Sequence, residues 1–453
     1  MAGTADARLR ARMSESLGVD VAAVNITGTA TLESPYPVSD LAAASVAAVG
    51  SALTALLAEG GVPGAVATVR RERADAWFRA GVRPVGWVAP SPWDPVAGDY
   101  EAADGWIRLH TNAPHHRTAA LRVLGVEADR DAVARAVAAW RADELEAAVV
   151  AEGGCAATMR RPEEWRAHPQ GVAVASEPLV ARERTDAGGA ASAWRPTPER
   201  PLDGLRVLDL TRVLAGPVST RVLAGLGAQV LRVDPPGWDE PALAPEMTLG
   251  KRTTRLDARD PAGLAQLRRL LGEADVVVHG YRADALERLG LGAEVRRATR
   301  PGIVDVSLDA YGFTGPWAGR RGFDSLVQMS AGIAEAGMRA AAADRPVPLP
   351  VQALDQATGY LMAAAALVGL RDRLRDGLGS SARLSLARTA LLLEDARGLP
   401  RAARFAVDEP ADGELLQTGW GPVRVLTPPL EVPGVRIAWE RAPRPFGSDN
   451  PIW

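Results

Sequence analysis

The stretch "LRVLDLTRVLAGPVSTRVLAGLGAQVLRVD", residues 205–234, decides the fold class. Its first seven residues, Leu205 to Thr211, are a Leu- and Val-rich run typical of a buried strand, and Gln229 to Asp234 form a second such run. Between the two runs, apolar residues recur at helical spacing after a turn that contains glycine and proline. Strand, helix and strand in this order predict two parallel strands joined by a crossover helix.

The same alternation continues toward the C-terminus. An amphipathic helix is predicted from Asp260 to Ala274, with Asp260 as its N-cap, and further strands are predicted in 275–280 and 301–312. We therefore predict an α/β protein with a Rossmann-like parallel sheet in a large domain, accompanied by a smaller α+β domain. Ligands on such sheets bind beyond the carboxyl ends of the strands. The residues expected at that rim are Arg212, Asp234, Gly280 to Arg282 and Asp309 to Gly312.

A polar stretch rich in glycine, alanine and proline, "ERTDAGGAASAWRPTPERP" (Glu183 to Pro201), divides the chain. It predicts a linker between an N-terminal and a C-terminal part. The predicted units are a helical segment in 1–80, the small domain in 81–182, the linker in 183–200, the large domain in 201–397 and a C-terminal segment in 398–453 that returns to the large domain.

The composition of the chain disfavours several kinds of partner and site. The chain has 453 residues and a net charge of -3, which does not favour nucleic acid as a partner. The single cysteine excludes an internal disulfide framework, and the five histidines lack metal-ligand spacing, so no metal site is predicted. The N-terminus has no apolar secretory core, and no apolar stretch is expected to reach the roughly 18 residues that span a bilayer. These features predict a cytoplasmic protein with no membrane partner.

One carboxylate stands at the start of a long Ala- and Leu-rich run. Asp355 lies in "RPVPLPVQALDQATGYLMAAAALVGLRDRL", residues 345–374, where it serves either as a helix N-cap or in chemistry. The N-terminal part contains a similar segment. When Asp40 is aligned with Asp355, the glycines and arginines that follow match without a gap, Gly64 with Gly379 and Arg73 with Arg388. Chance similarity of two Ala-rich helices and an internal duplication both remain open.

Several motifs in the C-terminal part resemble the class III CoA-transferases of CaiB/BaiF type, the family that contains formyl-CoA and carnitine CoA-transferases and the α-methylacyl-CoA racemases. They include "PLDGLRVLDLTRVLAGPVSTRVLAGLGAQVLRVDPPG", "LGKRTTRLDARDPAG", "ADVVVHGYRADALERLGLG", "SLDAYGFTGPWAGRRGFDSLVQMSAG" and "LDQATGYLMAAAALVGLRDRLRDGLG". "DYEAADGWIRLH" in the N-terminal part resembles the small domain of the same family. The domain order differs from that family, and we infer a rearranged tandem that is either a homodimer or a single chain mimicking the family dimer.

The resemblance implies roles for individual residues. Asp355 would be a covalent nucleophile that moves CoA from an acyl-CoA thioester to a carboxylic acid acceptor. No permanently bound cofactor is implied, since coenzyme A enters as part of the substrate. Residues expected to contact CoA are Arg212 at the sheet rim, Arg259 and Arg288 at the phosphates, Gly280 and Tyr281 along the CoA chain, and Leu256 at the adenine.

Departures from the family pattern bear on the activity. Racemases of the family have histidine where Phe323 stands, which favours a transferase over a racemase. Some transferases have glutamine in place of Leu214 and arginine in place of Pro235, which weakens the expected CoA contacts. Asp324 either positions the loop or caps the next helix. The leading interpretation is a CoA-transferase, and the alternatives are an acyl-CoA racemase or isomerase and a catalytically inactive CoA-binding homologue.

Overall fold

The computed structural model describes residues 3–62, 64–185, 194–281, 285–404 and 410–453. The helices, in chain order, are α1 Ala5–Leu17, α2 Val38–Glu59, α3 Arg71–Ala80, α4 Pro114–Leu124, α5 Arg130–Val137, α6 Ala142–Ala151, α7 Pro162–Ala167, α8 Pro169–Ser176, α9 Ala215–Gly225, α10 Ala244–Met247, α11 Pro261–Gly272, α12 Ala285–Arg288, α13 Ala293–Thr299, α14 Asp324–Ser330, α15 Ile333–Ala340, α16 Ala353–Asp376 and α17 Leu386–Asp395.

The strands are mostly short. In chain order they are β1 Asn25–Thr27, β2 Thr68–Arg70, β3 Val82–Pro84, β4 Gly98–Ala102, β5 Gly105–Leu109, β6 Ala156–Thr158, β7 Ala181–Thr185, β8 Arg206–Leu210, β9 Gln229–Asp234, β10 Lys251–Arg255, β11 Val276–His279, β12 Val304–Asp309, β13 Gly379–Ser385, β14 Gly413–Thr418, β15 Gly421–Leu426 and β16 Leu430–Glu431.

A seven-stranded sheet forms the centre of the C-terminal part, in the order β10-β9-β8-β11-β12-β13-β7. The first six strands are parallel, and β7 adds to the edge in the antiparallel direction. The predicted parallel α/β fold is therefore confirmed. Asp260 caps α11 as predicted, because its carboxylate accepts the N–H groups of Ala262 and Gly263 at 3.0 Å.

The sheet extends over the beginning of the predicted linker. Residues 183–185 belong to β7, which pairs with β13, so this part of the stretch is held in the sheet by backbone hydrogen bonds. Residues 186–193 of the predicted linker and Arg282 of the predicted rim lie outside the described residues.

Two long apolar helices, α2 and α16, pack against each other in the main core, together with α1 and α9. Both are long and apolar enough to cross a membrane by length and composition, so the sequence-based expectation that no stretch reaches that length was wrong. The apolar windows of these helices are 83% and 100% buried, because the protein's own core covers them.

A smaller unit follows α3. Strands β4, β5 and β6 form an antiparallel sheet, and its buried face packs with α4, α5 and α6 around a separate apolar core. The segment "DYEAADGWIRLH", which resembles the small domain of the family, forms the hairpin of β4 and β5.

The C-terminal segment contacts both parts of the chain. Strand β15 pairs with β3, and β16 pairs with β2, so this segment extends the N-terminal half as well as returning to the large domain. Farther along, the Asp449 carboxylate accepts the N–H of Thr253 in β10 at 2.9 Å. Trp439 stacks on Trp77 with ring centroids 5.2 Å apart, which joins the segment to α3.

Candidate active site

A cavity of about 300 Å³ lies where β8, β11 and β12 end. Its walls come from the carboxyl edge of the large sheet, from the start of α16 and from the small antiparallel unit. The lining residues are His115, His116, Leu210, Thr211, Arg212, Val213, Ala215, Trp238, Gly280, Tyr281, Ala285, Leu308, Asp309, Ala310, Arg320, Arg321, Gly322, Phe323, Asp355 and Leu386.

Asp355 is 6% exposed and lies in the cavity wall. It is the third residue of α16, whose N-cap is Gln352, so the prediction of Asp355 as an N-cap is wrong. Its carboxylate accepts the backbone N–H of Ala215, the first residue of α9. Burial raises the pKa of the Asp355 carboxyl well above its usual range, and the neighbouring charge of Asp324 raises the pKa further. The result is a buried, basic carboxylate that opens onto a cavity.

Asp324 supports the first turn of α16. It is the first residue of α14, and its carboxylate accepts the backbone N–H groups of Leu354 and Asp355. Gln328 donates to the other carboxylate oxygen of Asp324. Asp324 therefore caps α16, a helix distant in sequence, and burial raises the pKa of its carboxyl to about 6.

The turn between β8 and α9 is strained. Val213 has φ of 64°, in the left-handed region that a β-branched residue rarely adopts. Its N–H donates to Glu240 Oε1 at 2.8 Å, which holds the turn in place. Two residues later the chain enters α9, and the Ala215 N–H meets the Asp355 carboxylate. The strained residue, Val213, therefore lies two positions before the backbone N–H that contacts the carboxylate of Asp355, the candidate nucleophile.

Arg212 lies between two aromatic rings at the cavity wall. Its guanidinium carbon is 4.7 Å from the ring centroid of Trp238 and 5.2 Å from that of Tyr281. The guanidinium also donates to the Tyr281 hydroxyl at 3.3 Å. No carboxylate of the described residues lies within ion-pair distance of Arg212, so its charge is available to an anionic ligand.

A second carboxyl group, Asp309, ends β12 at the cavity wall. Burial raises its pKa to about 7, and the backbone N–H groups of Ala310, Tyr311 and Gly312 oppose that shift. Asp309 therefore changes charge near neutral pH inside the same cavity.

Histidines from the N-terminal part complete the cavity. His115 and His116 lie in the first turn of α4, and their rings are 4.1 Å apart. The His116 ring meets Phe323 edge-on at 5.8 Å, while His110 stacks on Phe323 at 3.8 Å. Phe323 thus lies between two imidazoles that come from a segment more than 200 residues earlier in the chain. The site is built from both parts of one chain.

Two adjacent arginines line the cavity beside these histidines. Arg320 pairs with the buried Glu146 at 2.5 Å, and its guanidinium lies 4.0 Å from the Trp317 ring centroid. Arg321 donates to the Gly153 carbonyl at 2.8 Å. Sequence reasoning missed both arginines and both cavity histidines. The adjacent pair "HH" in 115–116 was visible, but the sequence holds no signal that brings it to Asp355.

Some of the residues predicted to contact CoA line the cavity, and others lie outside it. Arg212, Gly280 and Tyr281 line it together with Asp355. Leu256 packs in a neighbouring apolar cluster that also includes Tyr281. Arg259 is exposed and pairs with Asp257 at 3.0 Å, and Arg288 is exposed at the end of α12. The roles of all these residues in binding CoA remain predictions.

Asp40 occupies the matching position of α2 but has a different neighbour. It is the third residue of α2, and its carboxylate pairs with Arg71 at 2.7 Å in a buried ion pair. At the offset that aligns Asp40 with Asp355, Arg71 aligns with Leu386, which lines the Asp355 cavity. Within the described residues, no group of three or more His, Cys, Asp or Glu side chains is arranged to hold a metal ion.

The fold and this site define an α/β protein with a buried carboxylate at the carboxyl edge of a parallel sheet. Residues 202–425 match the family model of CoA-transferase family III. An acyl-CoA transferase of Gibberella moniliformis is 32% identical over 61% of this chain and 53% of its own length. A probable fatty acyl-CoA transferase of Mycobacterium tuberculosis is 34% identical over 47% of this chain and 57% of its own length.

Residues 202–425 belong to CoA-transferase family III, as the sequence motifs predicted. The chain spans a little over half the length of these two relatives. Among solved structures, a CaiB/BaiF family protein from Brucella suis is 28% identical over 49% of this chain and 65% of its own, with a TM-score of 0.39.

Proposed function

We propose that this chain is a CoA-transferase that moves CoA from an acyl-CoA thioester to a carboxylic acid, with Asp355 as the covalent nucleophile. The observation that carries the proposal is the position of Asp355, a buried carboxylate in the wall of a cavity of about 300 Å³ at the carboxyl edge of the parallel sheet. Membership of the family and the names of the two transferase relatives support the same activity.

The first half-reaction loads CoA onto the protein. A carboxylate oxygen of Asp355 attacks the thioester carbon, the carbon–sulfur bond breaks, and an acyl-aspartyl anhydride and a CoA thiolate form. The thiolate then attacks the Asp355 carbonyl carbon, which releases the donor acid as a carboxylate and leaves an aspartyl-CoA thioester. No net proton transfer is needed, because one carboxylate enters each half-reaction and one leaves.

The second half-reaction reverses these steps with a new acid. The acceptor carboxylate attacks the aspartyl thioester, the thiolate leaves, and the thiolate then attacks the acceptor carbonyl of the new anhydride. Acyl-CoA departs and the Asp355 carboxylate returns to its initial state.

Backbone N–H groups assist both halves. The Ala215 N–H donates to the Asp355 carboxylate, and it opens α9 where the helix dipole is positive. Negative charge develops on the Asp355 carbonyl oxygen once in each half-reaction, when the thiolate attacks the anhydride at Asp355 and when the acceptor carboxylate attacks the aspartyl thioester. A preorganised N–H donor stabilises that charge without reorganising at the moment of reaction. The raised pKa of Asp355 makes its ionised form a stronger nucleophile than an exposed carboxylate.

CoA would enter along the sheet edge. Arg212, Gly280 and Tyr281 line the cavity on that side, and we propose that they contact the CoA chain, with Arg259 and Arg288 at the phosphates and Leu256 at the adenine. A single chain would then mimic the family dimer, because His115 and His116 come from the N-terminal part and line the same cavity as Asp355.

The test is intact-mass measurement after incubation with an acyl-CoA. The expected result is a CoA adduct on the wild-type chain, mapped by proteolysis to the peptide that contains Asp355 and absent from Asp355→Asn. The double variant Asp40→Asn with Arg71→Leu is the matched control, since Asp40 holds the same place in α2 and no unpaired charge is then buried, and it should keep the adduct. Bound CoA with no adduct in any variant would show a binding protein and overturn the proposal, and exchange of the hydrogen on the carbon next to the thioester without an adduct would support an isomerase.

A further inference from the structure

A buried ammonium group joins β10 to β8 and α9. Lys251, the single lysine of the chain, is the first residue of β10 and is fully buried. Its Nζ donates to Asp209 Oδ2 at 3.0 Å, to the Thr220 hydroxyl at 2.6 Å and to the Pro217 carbonyl at 2.9 Å. All three N–H donors of the ammonium group are therefore used. None of the covalent steps at Asp355 requires this group.

The carboxylate of Asp209 extends these contacts to the end of β8. Its Oδ2 accepts the Thr220 hydroxyl at 2.6 Å, while its Oδ1 accepts the backbone N–H of Thr211 at 3.0 Å and the hydroxyl of the same residue at 2.5 Å. We call Lys251, Asp209, Thr211 and Thr220 the lysine cluster. Each of the four residues is at most 1% exposed. The cluster therefore connects three elements of the fold through buried hydrogen bonds.

The lysine cluster holds both ends of the strained turn between β8 and α9. Thr211 precedes Val213, whose φ is 64°, and Thr220 follows it in α9. The turn is close-packed, since a Cβ added to Gly216 would lie 2.3 Å from Thr211 Cβ. A strained conformation persists only where the surrounding structure determines it. The cluster supplies part of that constraint from β10, and the hydrogen bond from Val213 to Glu240 supplies another part.

The backbone N–H of Ala215 lies between the two ends that the cluster holds. This N–H donates to the Asp355 carboxylate, and the proposed function assigns it to the charge that develops on the Asp355 carbonyl oxygen. Hydrogen bonds weaken steeply as their angle departs from linearity. A small displacement of the turn would therefore reduce the stabilisation of that charge.

The charge of Lys251 by itself is a poor explanation for its burial. Buried ion pairs lose the hydration of both charges, and apolar side chains of similar volume often give an equally stable protein. Burial lowers the pKa of Lys251 to about 8, Asp209 raises it, and the cations Arg232 and Arg221 lower it further. What an apolar residue at this position could not supply is the set of three hydrogen bonds to β8 and α9.

We propose that Lys251 is a positioning residue for CoA transfer: with Asp209 and Thr220, it holds the turn so that the Ala215 N–H points at the Asp355 carboxylate. This inference rests on the proposed function, because it assumes that Asp355 carries the reaction. A side chain that acted only on stability would leave the ionisation of Asp355 unchanged, so that ionisation is the property to measure.

Loosening the cluster should raise the pKa of Asp355, because the Ala215 N–H lowers that pKa in the intact turn. Asp324 of α14, whose charge raises the same pKa, is not substituted. The other titratable groups of the cavity wall are also kept: the two histidines of α4, Arg212, Tyr281, Asp309 and the adjacent arginines at 320 and 321. The shift in the pKa of Asp355 therefore reports the position of the turn.

Two variants loosen the cluster and keep the net charge. Lys251→Met combined with Asp209→Asn removes both charges of the pair, whereas Thr220→Val removes one hydroxyl and leaves the ion pair. In both, the pKa of Asp355 and the acid limb of the loading rate should move to higher pH, with the smaller shift in Thr220→Val. The loading rate above that limb should fall about tenfold or more in the double variant, since slight misplacement of a catalytic group costs up to about a hundredfold. The affinity for acetyl-CoA, measured in the Asp355→Asn background, should fall by a smaller factor than the rate.

The pKa of Asp355 is read by carbon-13 NMR of the carboxyl carbons, with its signal identified by its loss in Asp355→Asn. Ser45→Ala is the matched control, because the Ser45 hydroxyl is as buried as that of Thr220 but donates to the Ala42 carbonyl within α2 at 3.0 Å. This control should change neither the pKa of Asp355 nor the loading rate.

An unchanged pKa of Asp355 in both Thr220→Val and the double variant, with or without a slower rate, would overturn the inference. If the double variant does not fold, Thr220→Val alone decides the question. Absence of an adduct on the wild-type chain would instead overturn the proposed function, and the NMR titration would still show whether the lysine cluster positions the Ala215 N–H.

Discussion

Asp324 Oδ2 accepts the backbone N–H of Asp355 at 2.9 Å, so the carboxyl group that opens one helix fixes the first turn of another. The two carboxyl groups are therefore neighbours in a buried site, and each makes the ionisation of the other more costly. The arrangement combines a structural role for Asp324 with an electrostatic effect on the candidate nucleophile.

Replacing Asp324 by asparagine should shift the pH dependence of CoA loading. The amide oxygen can still accept the Asp355 N–H, but the negative charge that raises the Asp355 pKa is removed. The pKa of Asp355 should fall, and the acid limb of the loading rate should move to lower pH. The measurement is the rate of adduct formation between pH 5 and 9, with the exposed Asp131→Asn as control. An unmoved acid limb would contradict the coupling.

Gly359→Ala should disturb the contact between α16 and α9. A Cβ at residue 359 would lie 2.5 Å from the Ala215 carbonyl oxygen and 2.8 Å from Val218 Cβ. We expect a loss of about 1–3 kcal/mol in the free energy of unfolding, despite the better helix propensity of alanine, together with slower loading because Ala215 moves. Urea denaturation and adduct formation measure the two effects. Gly319→Ala, which meets no atom within 4 Å, should change neither.

Arg71→Leu should destabilise the chain by leaving Asp40 buried without its partner. The side chains of this pair are 8% and 2% exposed, and removal of one partner of a buried ion pair costs about 3 kcal/mol or more. Adding Asp40→Asn to Arg71→Leu should restore much of the loss, since no unpaired charge is then buried. Chemical denaturation of the single and double variants measures this recovery. If the double variant were as unstable as the single one, the lost stability would come from packing and not from the unpaired charge.

Asp309→Asn should alter how stability depends on pH. The pKa of Asp309 is raised to about 7 in the folded state, so the folded chain binds this proton more tightly than the unfolded chain does. The stability contributed by the protonated form is complete below the unfolded pKa near 4 and is lost as pH rises through about 7. The variant, which cannot ionise there, should therefore gain stability relative to the wild type by roughly 2 kcal/mol or more between pH 4 and pH 8. Parallel denaturation curves across that range test the difference, and a constant offset would contradict the raised pKa.

The parallel sheet could be predicted because its signals are local. The apolar runs around Val207, Val230 and Val277 each indicate a buried strand. Between these runs, apolar residues recur at helical spacing and capping residues mark the helix ends. The position of the cavity followed from the rule that ligands lie beyond the carboxyl ends of parallel strands. Arg212, Gly280 and Tyr281 were predicted at that edge and do line the cavity.

Other parts of the site depend on contacts that no local pattern records. His116 reaches Phe323 across a separation of 207 residues, 323 − 116, through packing of the small antiparallel unit on the large one. The N-cap hypothesis for Asp355 failed because the donors of the first helical turn are satisfied by Asp324, a residue on another helix. The helix propensity of the residues near Asp355 carries no information about Asp324 as a partner.

The pairing of α2 with α16 has a genetic consequence. In an assembly of two identical chains, any substitution at a helix start changes both copies at once. Here the two helix starts are encoded separately, so one can carry Asp40 paired with Arg71 while the other keeps Asp355 in a cavity wall that Leu386 also lines. A substitution at the buried ion pair of α2 can therefore arise without changing the cavity at the start of α16, and the reverse also holds.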